Sequence, residues 1–307
     1  MFKKLLLATT ASPVCDNAAK VAFDLEMKWE AKLIILHVLG IPSRGFGLQV
    51  IDVRTGEKEQ PSPDYLEWVT EELKTTYAAF LEDSNAQIVT AVGEPYREIL
   101  RLARKEDVDM ILMGAHSRDE EVGAARHRQV AGSTLRRVAK AARCPVVIVN
   151  RPCTTCWKLF SNIVVGTDFS KASESAMLWG YKLAREVGAN LHLFHAVDIT
   201  AEGLTRPAGQ PVLEQRLLEA RRRIEHHLLP KLRGYEKTTV EVWEGIPYVE
   251  ILKFARARQA DLIVMAHHAR EVDPEEAELG STVEEVVLRS SCPVASVNHP
   301  DKVADLL

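Results

Sequence analysis

The chain has 307 residues, enough for two domains of ordinary size, and 46% of them are hydrophobic, so each half can bury its own core. The formal net charge of −4 gives no overall basic field that would recruit nucleic acid or an anionic membrane surface. No apolar run is long enough to span a bilayer, and five cysteines, an odd number, favour reduced thiols and a cytoplasmic protein. The opening MFKKLLLATTASP is interpreted as a first strand and not as an export signal, because its pattern recurs at residues 161–171.

Strand-like and helical periodicities alternate along the first half. A buried strand is predicted at residues 4–9, then a helix at 18–29, a strand at 33–38 and a loop at 40–64. The further predicted elements are helices at 65–81, 96–105 and 133–142 and strands at 86–92, 109–113 and 146–149. This alternation predicts a parallel sheet with helices on both faces.

The second half repeats the first. AKLIILHV returns as ANLHLFHA, VGEPYREILRLAR as EGIPYVEILKFAR, and DMILMGAHSR as DLIVMAHHAR. Strands are predicted at 162–167, 190–196, 239–244, 261–265 and 294–297, and helices at 173–187, 213–232, 248–258 and 282–290. The repeat predicts one domain at residues 1–150, a linker at 151–160 and a second domain at 161–307.

Each copy is built around one element, whose first version is residues 110–138. A strand ends in Gly114, a polar and arginine-rich loop follows, and a helix begins through Gly132, Ser133 and Thr134. The first-turn amides of such a helix lack acceptors and its dipole is positive there, so the arrangement favours an anion. A second version at residues 262–287 begins its helix through Gly280, Ser281 and Thr282.

Together these residues resemble the universal stress protein superfamily. The similar features are TDFS at 167–170, the HV-type end of the second strand, the GxP turn before the third helix, and Gly-Ser-Thr followed by CPV. The resemblance covers nearly the whole chain as two tandem domains. It implies that each is a five-stranded parallel α/β sandwich of the Rossmann-like, adenine nucleotide alpha-hydrolase-like kind. It also implies that the last strands, 146–149 and 294–297, pair as an internal pseudo-dimer, which would protect two apolar edges; a homodimer is a further possible assembly.

Members of the superfamily divide into ATP-binding and non-binding groups. The resemblance therefore implies an adenine nucleotide as the ligand of a member that binds one. Binders carry Gly, two residues, Gly, about nine residues, then Gly-Ser/Thr. The first half keeps Gly114, but Ser117 replaces the second glycine and fourteen residues separate it from Gly132. Thr10 stands where binders place an aspartate at the end of the first strand. The second half has that aspartate, Asp168, but has alanines at both glycine positions.

Charge distinguishes the two half-sites. The first loop carries Arg118, Arg126, His127 and Arg128 against Asp119, Glu120 and Glu121, and its basic part lies nearest Gly132, where phosphates would sit. The second loop carries five carboxylates, which would repel a triphosphate unless a metal intervened. The first half is therefore the better site for ATP, with Mg²⁺ as the accompanying ion, and the second is better equipped for a nucleoside. The candidate ligand-binding residues are Thr9, Thr10, Val38, Met113, Gly114, Ser117, Gly132, Ser133 and Thr134 in the first half and Thr167, Asp168, Ala196, Gly280, Ser281 and Thr282 in the second.

Three functions remain open at this stage. The first is a stress-response regulatory module that binds an adenine nucleotide, and the second is an interaction scaffold with an unidentified protein partner, in which Gly132 and Gly280 merely start helices and the pockets stay empty. The third is a slow ATPase. No nucleophile elbow, Walker-type loop or good general base is found, so an efficient hydrolase is not supported and no catalytic residue is assigned.

The remaining cysteines and histidines have plainer interpretations. Cys153 and Cys156 are expected to be linker thiols, with a labile disulfide as the alternative, because zinc would need two more ligands. His267 and His268 are expected to be polar pocket residues, with a metal as the alternative, and no metal centre is predicted. The remaining residues of interest are Cys144 and Cys292, expected to be buried, His37 and His195, expected to serve the fold, and Arg221–Arg223, expected to form helical ion pairs.

Overall fold

The computed structural model describes residues 2–40, 50–51, 58–59, 61–115, 132–150, 160–199, 210–266 and 281–297. The chain forms two compact units, and the first passes into the second between Asn150 and Arg151. Each unit is an α/β sandwich with five parallel strands among its described residues. No helix in the described ranges combines the length and the apolar character needed to cross a membrane.

The first unit begins with strand β1 (Lys4–Thr9), helix α1 (Pro13–Trp29) and strand β2 (Lys32–Gly40). Its further elements are β3 (Val50–Ile51), β4 (Lys58–Glu59), α2 (Pro63–Thr76), α3 (Ala78–Leu81), β5 (Gln87–Gly93), α4 (Pro95–Lys105), β6 (Met110–Gly114), α5 (Ser133–Ala141) and β7 (Val146–Val149). The parallel strands lie in the order β5-β2-β1-β6-β7, and β3 pairs antiparallel with the end of β2.

The second unit repeats this arrangement without the short antiparallel strands among its described residues. Its elements are β8 (Asn162–Gly166), α6 (Lys171–Val187), β9 (Asn190–Asp198), α7 (Gln210–Arg223), β10 (Thr238–Gly245), α8 (Pro247–Ala257), β11 (Leu262–Ala266), α9 (Ser281–Arg289) and β12 (Val294–Val297). The strand order is β10-β9-β8-β11-β12. β7 and β12 each end the strand order of their own unit, and the pairing between them stays a prediction from the sequence.

The strand order places a crevice at one end of each sheet. From β1 the chain moves outward to β2 and β5, then returns to the other side of β1 to form β6 and β7. Helices that follow β1 and β6 therefore leave in opposite directions, and a crevice opens beyond the carboxyl ends of these strands. The same switch point lies between β8 and β11 in the second unit.

An aspartate fixes the opposite end of each sheet. Asp109 Oδ2 accepts the backbone amides of Lys3 (2.7 Å) and Lys4 (2.9 Å). Asp261 does the same one repeat later, accepting the amides of Ser161 (2.6 Å) and Asn162 (3.1 Å). These charge-assisted bonds align the first parallel strand with the fourth in both units.

Three predicted elements differ from the observed ones. The helix predicted at 65–81 is broken at Tyr77, whose φ of −104° and ψ of 13° separate α2 from α3. The helix predicted at 213–232 ends at Arg223 and continues as a π-helical turn, Ile224–Leu228, and a 3₁₀ turn, Leu229–Leu232. Pro230 accounts for this change, because it has no amide proton and its ring clashes with the carbonyl of an α-helical turn. The predicted loop at 40–64 contains β3 and β4.

Candidate functional site

A cleft opens in the first unit at the carboxyl ends of β1, β2 and β6, where α4 and α5 begin. It contains about 630 Å³ of empty space counted out to its open mouth, a volume that includes open solvent. The cleft is lined by Ala8, Thr9, Thr10, Cys15, Leu36, Val38, Pro95, Ile99, Met113, Gly114, Ala115, Gly132, Thr134 and Leu135. None of these lining residues is charged, so a ligand meets apolar walls, hydroxyls, a thiol and backbone.

The floor of the cleft is the turn that follows β1. Ala11 has a left-handed φ of 55°, and its amide donates to Thr9 Oγ1 (2.9 Å). The same hydroxyl lies 2.6 Å from the phenol oxygen of Tyr77, which is 1% exposed. Burial raises the pKa of the Tyr77 phenol well above its usual range, so the phenol keeps its proton. His37 Nδ1 donates to the Thr9 carbonyl (3.1 Å) and holds the turn from β2.

Thr10 occupies the place at which a carboxylate would stand in an ATP-binding member of the resembled family. Its hydroxyl lies 2.9 Å from Ser12 Oγ and 3.3 Å from Cys15 Sγ. Ser12 precedes α1, and Cys15 lies in its first turn. The side chain of Thr10 is thus held by local partners, and it presents a neutral oxygen where a nucleoside hydroxyl would need an acceptor.

The helix α5 supplies the polar end of the cleft. Gly132 immediately precedes it, and the amide of Arg136 donates to the Gly132 carbonyl (3.1 Å) as the first helical bond. The amides of Ser133, Thr134 and Leu135 come before this bond, so no carbonyl of the helix accepts from them. They are oriented as in an anion site. Thr134 and Leu135 line the cleft, so this helix end faces the empty space.

Arg137 of α5 already has a carboxylate partner. Arg137 Nη1 donates to Glu94 Oε1 (2.8 Å), and its Cζ lies 4.8 Å from the centre of the Tyr96 ring. This ion pair joins α5 to Glu94, the residue before α4. Arg118, Arg126 and Arg128, predicted from the sequence to face phosphate, lie outside the described residues.

The second unit reproduces the turn after its first strand. Phe169 has a left-handed φ of 65°, and its amide donates to Thr167 Oγ1 (3.1 Å). His195 Nδ1 donates to the Thr167 carbonyl (2.7 Å), as His37 does to Thr9. Burial lowers the pKa of His195, which favours the neutral ring. The duplicated histidines therefore fix the backbone at the strand end, as their matching positions indicated.

The side chains around this second turn differ from those of the first. Asp168 is exposed, and its carboxylate accepts the amide of Ser170 (3.0 Å). Gly166 replaces Ala8, and Ile251 packs so closely that an added Cβ would lie 2.8 Å from its Cδ1. The Phe169 ring centre lies 4.4 Å from that of His195. Aliphatic and aromatic side chains thus pack against the strand end in the second unit.

The structure brings together most of the residues predicted for the first site. Those lining the cleft are Thr9, Thr10, Val38, Met113, Gly114, Gly132 and Thr134. Ser133 is exposed at the start of α5 and is not among the lining residues. In the second unit Thr167 is buried, Ala196 and Thr282 are half-buried, and Ser281 begins α9. Ser117 and Gly280 lie outside the described residues.

Sequence reasoning missed the apolar wall of the cleft and also Tyr77, which holds the hydroxyl of Thr9 at its floor. The missed lining residues are Ala8, Cys15, Leu36, Pro95, Ile99, Ala115 and Leu135. Pro95 belongs to the GxP turn, so its motif could have placed it at the site. Tyr77 gave no such signal, because it is separated from Thr9 by 68 positions and reads as one more apolar residue of a helix.

The other expectations have mixed outcomes. Cys144 and Cys292 are free and buried, as expected, and burial raises the pKa of the Cys292 thiol to about 11. Arg221 lies 3.4 Å from Glu225 in an i,i+4 ion pair. No group of three or more His, Cys, Asp or Glu residues suited to a metal occurs in the described ranges. Cys153, Cys156, His267 and His268 lie outside them.

Comparison with known proteins matches this architecture to one family twice. Residues 1–150 and 159–298 each match the Universal stress protein family. Universal stress protein MJ0531 of Methanocaldococcus jannaschii is 31% identical over 150 residues, covering 47% of this chain and 85% of that protein. Universal stress protein YxiE of Bacillus subtilis is 27% identical over 161 residues, covering 48% of this chain and 99% of that protein.

A solved structure extends the likeness to both units. A universal stress protein from Archaeoglobus fulgidus has a TM-score of 0.66 at 21% identity, covering 96% of this chain and 98% of that one. At this identity the likeness concerns the fold. The paired sequence matches, the shared strand order and the turn repeated at Thr9 and Thr167 agree, and the chain belongs to the universal stress protein family, whose domain it carries twice in tandem.

Proposed function

We propose that this chain is a cytoplasmic stress-response regulatory module whose first repeat binds an adenine nucleotide, with ATP and Mg²⁺ as the ligand pair. One observation carries the proposal: the cleft lies at the switch point of the sheet, and α5 begins at its rim through Gly132. Switch-point crevices with a helix N-terminus bind nucleotides because one end accepts an apolar base and the other a phosphate.

The walls of the cleft offer an apolar surface at one end and hydrogen-bond donors at the other, as an adenine nucleotide needs. Leu36, Val38 and Met113 give an apolar, sheet-side surface on which a planar base can lie. The amides after Gly132 provide donors for phosphate oxygens. The neutral lining makes the helix end the principal electrostatic feature among the described walls, so we expect affinity to depend on it strongly.

The second repeat is the weaker candidate. Asp168 offers a carboxylate, but Ile251 packs directly against Gly166, the second unit's equivalent of the cleft-lining Ala8. The carboxylates of its loop, predicted to repel phosphate, belong to residues outside the described ranges. We therefore assign the nucleotide to the first repeat.

Isothermal titration calorimetry with ATP, ADP, AMP and cAMP, with and without Mg²⁺, tests the proposal. Gly132→Val places a branched side chain at the helix entrance and should abolish binding, whereas the matched Gly280→Val in the second repeat should leave it intact. Thr134→Val, a milder change of one lining hydroxyl, should weaken binding while circular dichroism shows an unchanged fold. Equal binding by wild type and Gly132→Val would refute the assignment.

The alternative function is an interaction scaffold with an empty first cleft. It is favoured by Thr10, whose hydroxyl is already held by Ser12 and Cys15. No heat at millimolar ATP, together with no nucleotide released from the purified protein on denaturation, would favour the scaffold. A phosphate-release assay tests the third function, the slow ATPase. If the cleft binds ATP without hydrolysing it, the assay should detect no phosphate.

A further inference from the structure

The turn after β1 forms the middle of the first cleft. Strand β1 lies between β2 and β6, and neighbouring strands of a sheet are about 4.8 Å apart. Leu36 and Val38 lie on β2, whereas Gly132 precedes α5, the helix that follows β6 along the chain. A nucleotide with its base on β2 and its phosphate at α5 therefore has its sugar over the turn, where Thr10 lines the cleft.

Thr10 can accept at most one further hydrogen bond. Its Oγ1 is hydrogen-bonded to Ser12 Oγ (2.9 Å) and to Cys15 Sγ (3.3 Å). A hydroxyl has one proton and two lone pairs. If Thr10 donates to one neighbour and accepts from the other, one lone pair is left, and if it accepts from both, none is left. Thr10 therefore offers a ligand one acceptor at most, whichever way the protons point.

The oxygens of Thr9 in the same turn already have partners. Its hydroxyl accepts the amide of Ala11 (2.9 Å) and lies 2.6 Å from the phenol oxygen of Tyr77. Its carbonyl accepts from His37 Nδ1 (3.1 Å), and the residue is buried. Thr10 is therefore the principal side-chain acceptor for a sugar in this turn.

The second repeat carries a carboxylate at the matched position. Asp168 follows Thr167 as Thr10 follows Thr9, and its Oδ1 accepts the amide of Ser170 (3.0 Å). An ionised carboxylate has two oxygens with about four acceptor sites, and its hydrogen bonds are charge-assisted. This turn can therefore hold a side chain that accepts from both hydroxyls of a ribose, but the first repeat has a neutral oxygen there.

From this count of acceptors we propose that the first cleft binds 2′-deoxyadenosine nucleotides at least as tightly as adenosine nucleotides. A ribose brings two hydroxyl donors, at positions 2′ and 3′, whereas a 2′-deoxyribose brings one, which matches the single acceptor of Thr10. The second hydroxyl of a ribose would lie beside Thr10 without an acceptor, and burying an unpaired hydroxyl costs free energy. The inference rests on the proposed function, because it names the sugar of the same ligand.

Isothermal titration calorimetry of the full chain with ATP and 2′-deoxy-ATP, each with Mg²⁺, measures the ratio of the two dissociation constants. We expect the dissociation constant of 2′-deoxy-ATP to lie no more than about threefold above that of ATP. A protein that binds ATP more tightly than this would overturn the inference and leave nucleotide binding in place. No heat with either nucleotide would refute nucleotide binding in the cleft, and the inference with it.

Substitutions at position 10 make the result specific. Thr10→Asp should create a preference for ATP of about tenfold, because the carboxylate accepts the second hydroxyl in a charge-assisted hydrogen bond. Both nucleotides carry the same phosphates, so repulsion by the new charge cancels in the ratio. Thr10→Val, of similar volume, should keep the wild-type ratio, and so should the matched control Asp168→Thr in the second repeat.

Circular dichroism checks that each variant folds. A folded Thr10→Asp protein with the wild-type ratio would show that position 10 does not meet the sugar, and it would overturn the inference. If Thr10→Asp does not fold, the ratio measured on the wild-type protein decides by itself.

Discussion

Replacing His192 with isoleucine should make the second unit less sensitive to acid. His192 lies on β9 and is buried, with Nδ1 2.7 Å from the exposed hydroxyl of Thr239 and the Phe254 ring centre 6.1 Å away. Its Nε2 is buried without a hydrogen-bond partner among the described residues. The first repeat has Ile34 at the matching position, so the sheet can accept the replacement.

The magnitude follows from the titration of the ring. Burial, with a smaller contribution from Arg258, lowers the pKa of His192 from 6.5 to about 4. The folded state therefore keeps a neutral ring while the unfolded chain binds a proton below pH 6.5. This contribution to stability is present above pH 6.5 and is lost as the pH falls toward 4. At 1.36 kcal/mol per pKa unit, the loss between pH 7 and pH 4.5 is about 2 kcal/mol.

Urea unfolding of wild type and His192→Ile at pH 7, 6, 5 and 4.5 measures the effect. Differences between the two proteins at each pH cancel the titration of all other groups. We expect the variant to gain about 2 kcal/mol relative to wild type between pH 7 and 4.5. His227→Gln, which removes an exposed histidine from the same unit, controls for histidine number. A wild-type–variant difference that stays constant across this range would refute the reasoning.

Three further changes test the fold and the cleft. Gly245→Ala should lower the stability of the fold by about 1–3 kcal/mol in thermal unfolding, because φ is 141° and the new Cβ would lie 2.7 Å from Glu250 Cγ. Gly234→Ala is the control for a positive φ without a close contact, because a Cβ there meets no atom within 4 Å. Asp261→Asn should lower the free energy of unfolding by about 2 kcal/mol, because the NH₂ group of asparagine would face the amide of Ser161 or Asn162, which is also a donor. Unchanged stability would show that Asp261 does not fix this end of the sheet. Tyr77→Phe should cost about 1 kcal/mol and weaken nucleotide binding, measured by calorimetry, because Thr9 loses its buried partner; unchanged affinity would show that Tyr77 does not position the cleft.

The fold was accessible from the sequence because the signal is repeated. Two runs of alternating strand and helix patterns, in the same order, leave few topologies for a parallel sheet. Helix ends were less accessible. The break at Tyr77 depends on how the helix meets its sheet. The second helix changes before Pro230, which the sequence does show, but the apolar spacing continues through both breaks and hides them.

The candidate site was accessible only in part. Gly114, Gly132 and Thr134 were found because glycine at strand ends and helix starts has a local signature. Leu36 and Ile99 carry no such signature, since an apolar residue that lines a cleft has the same pattern as one that fills a core. The anchor Tyr77 depends on a contact that no local pattern records.

By itself the sequence determined the repeat, the parallel α/β class and the incompleteness of both nucleotide motifs, because these follow from periodicity and from residue identity at fixed spacings. Only the tertiary structure decided which residues share the first cleft, that Tyr77 holds the hydroxyl of Thr9, and that the Phe169 ring packs against His195 in the second unit. The physical reason is that hydrogen bonds and packing join residues that are far apart along the chain, and their distances are set by the whole sheet and not by neighbouring positions.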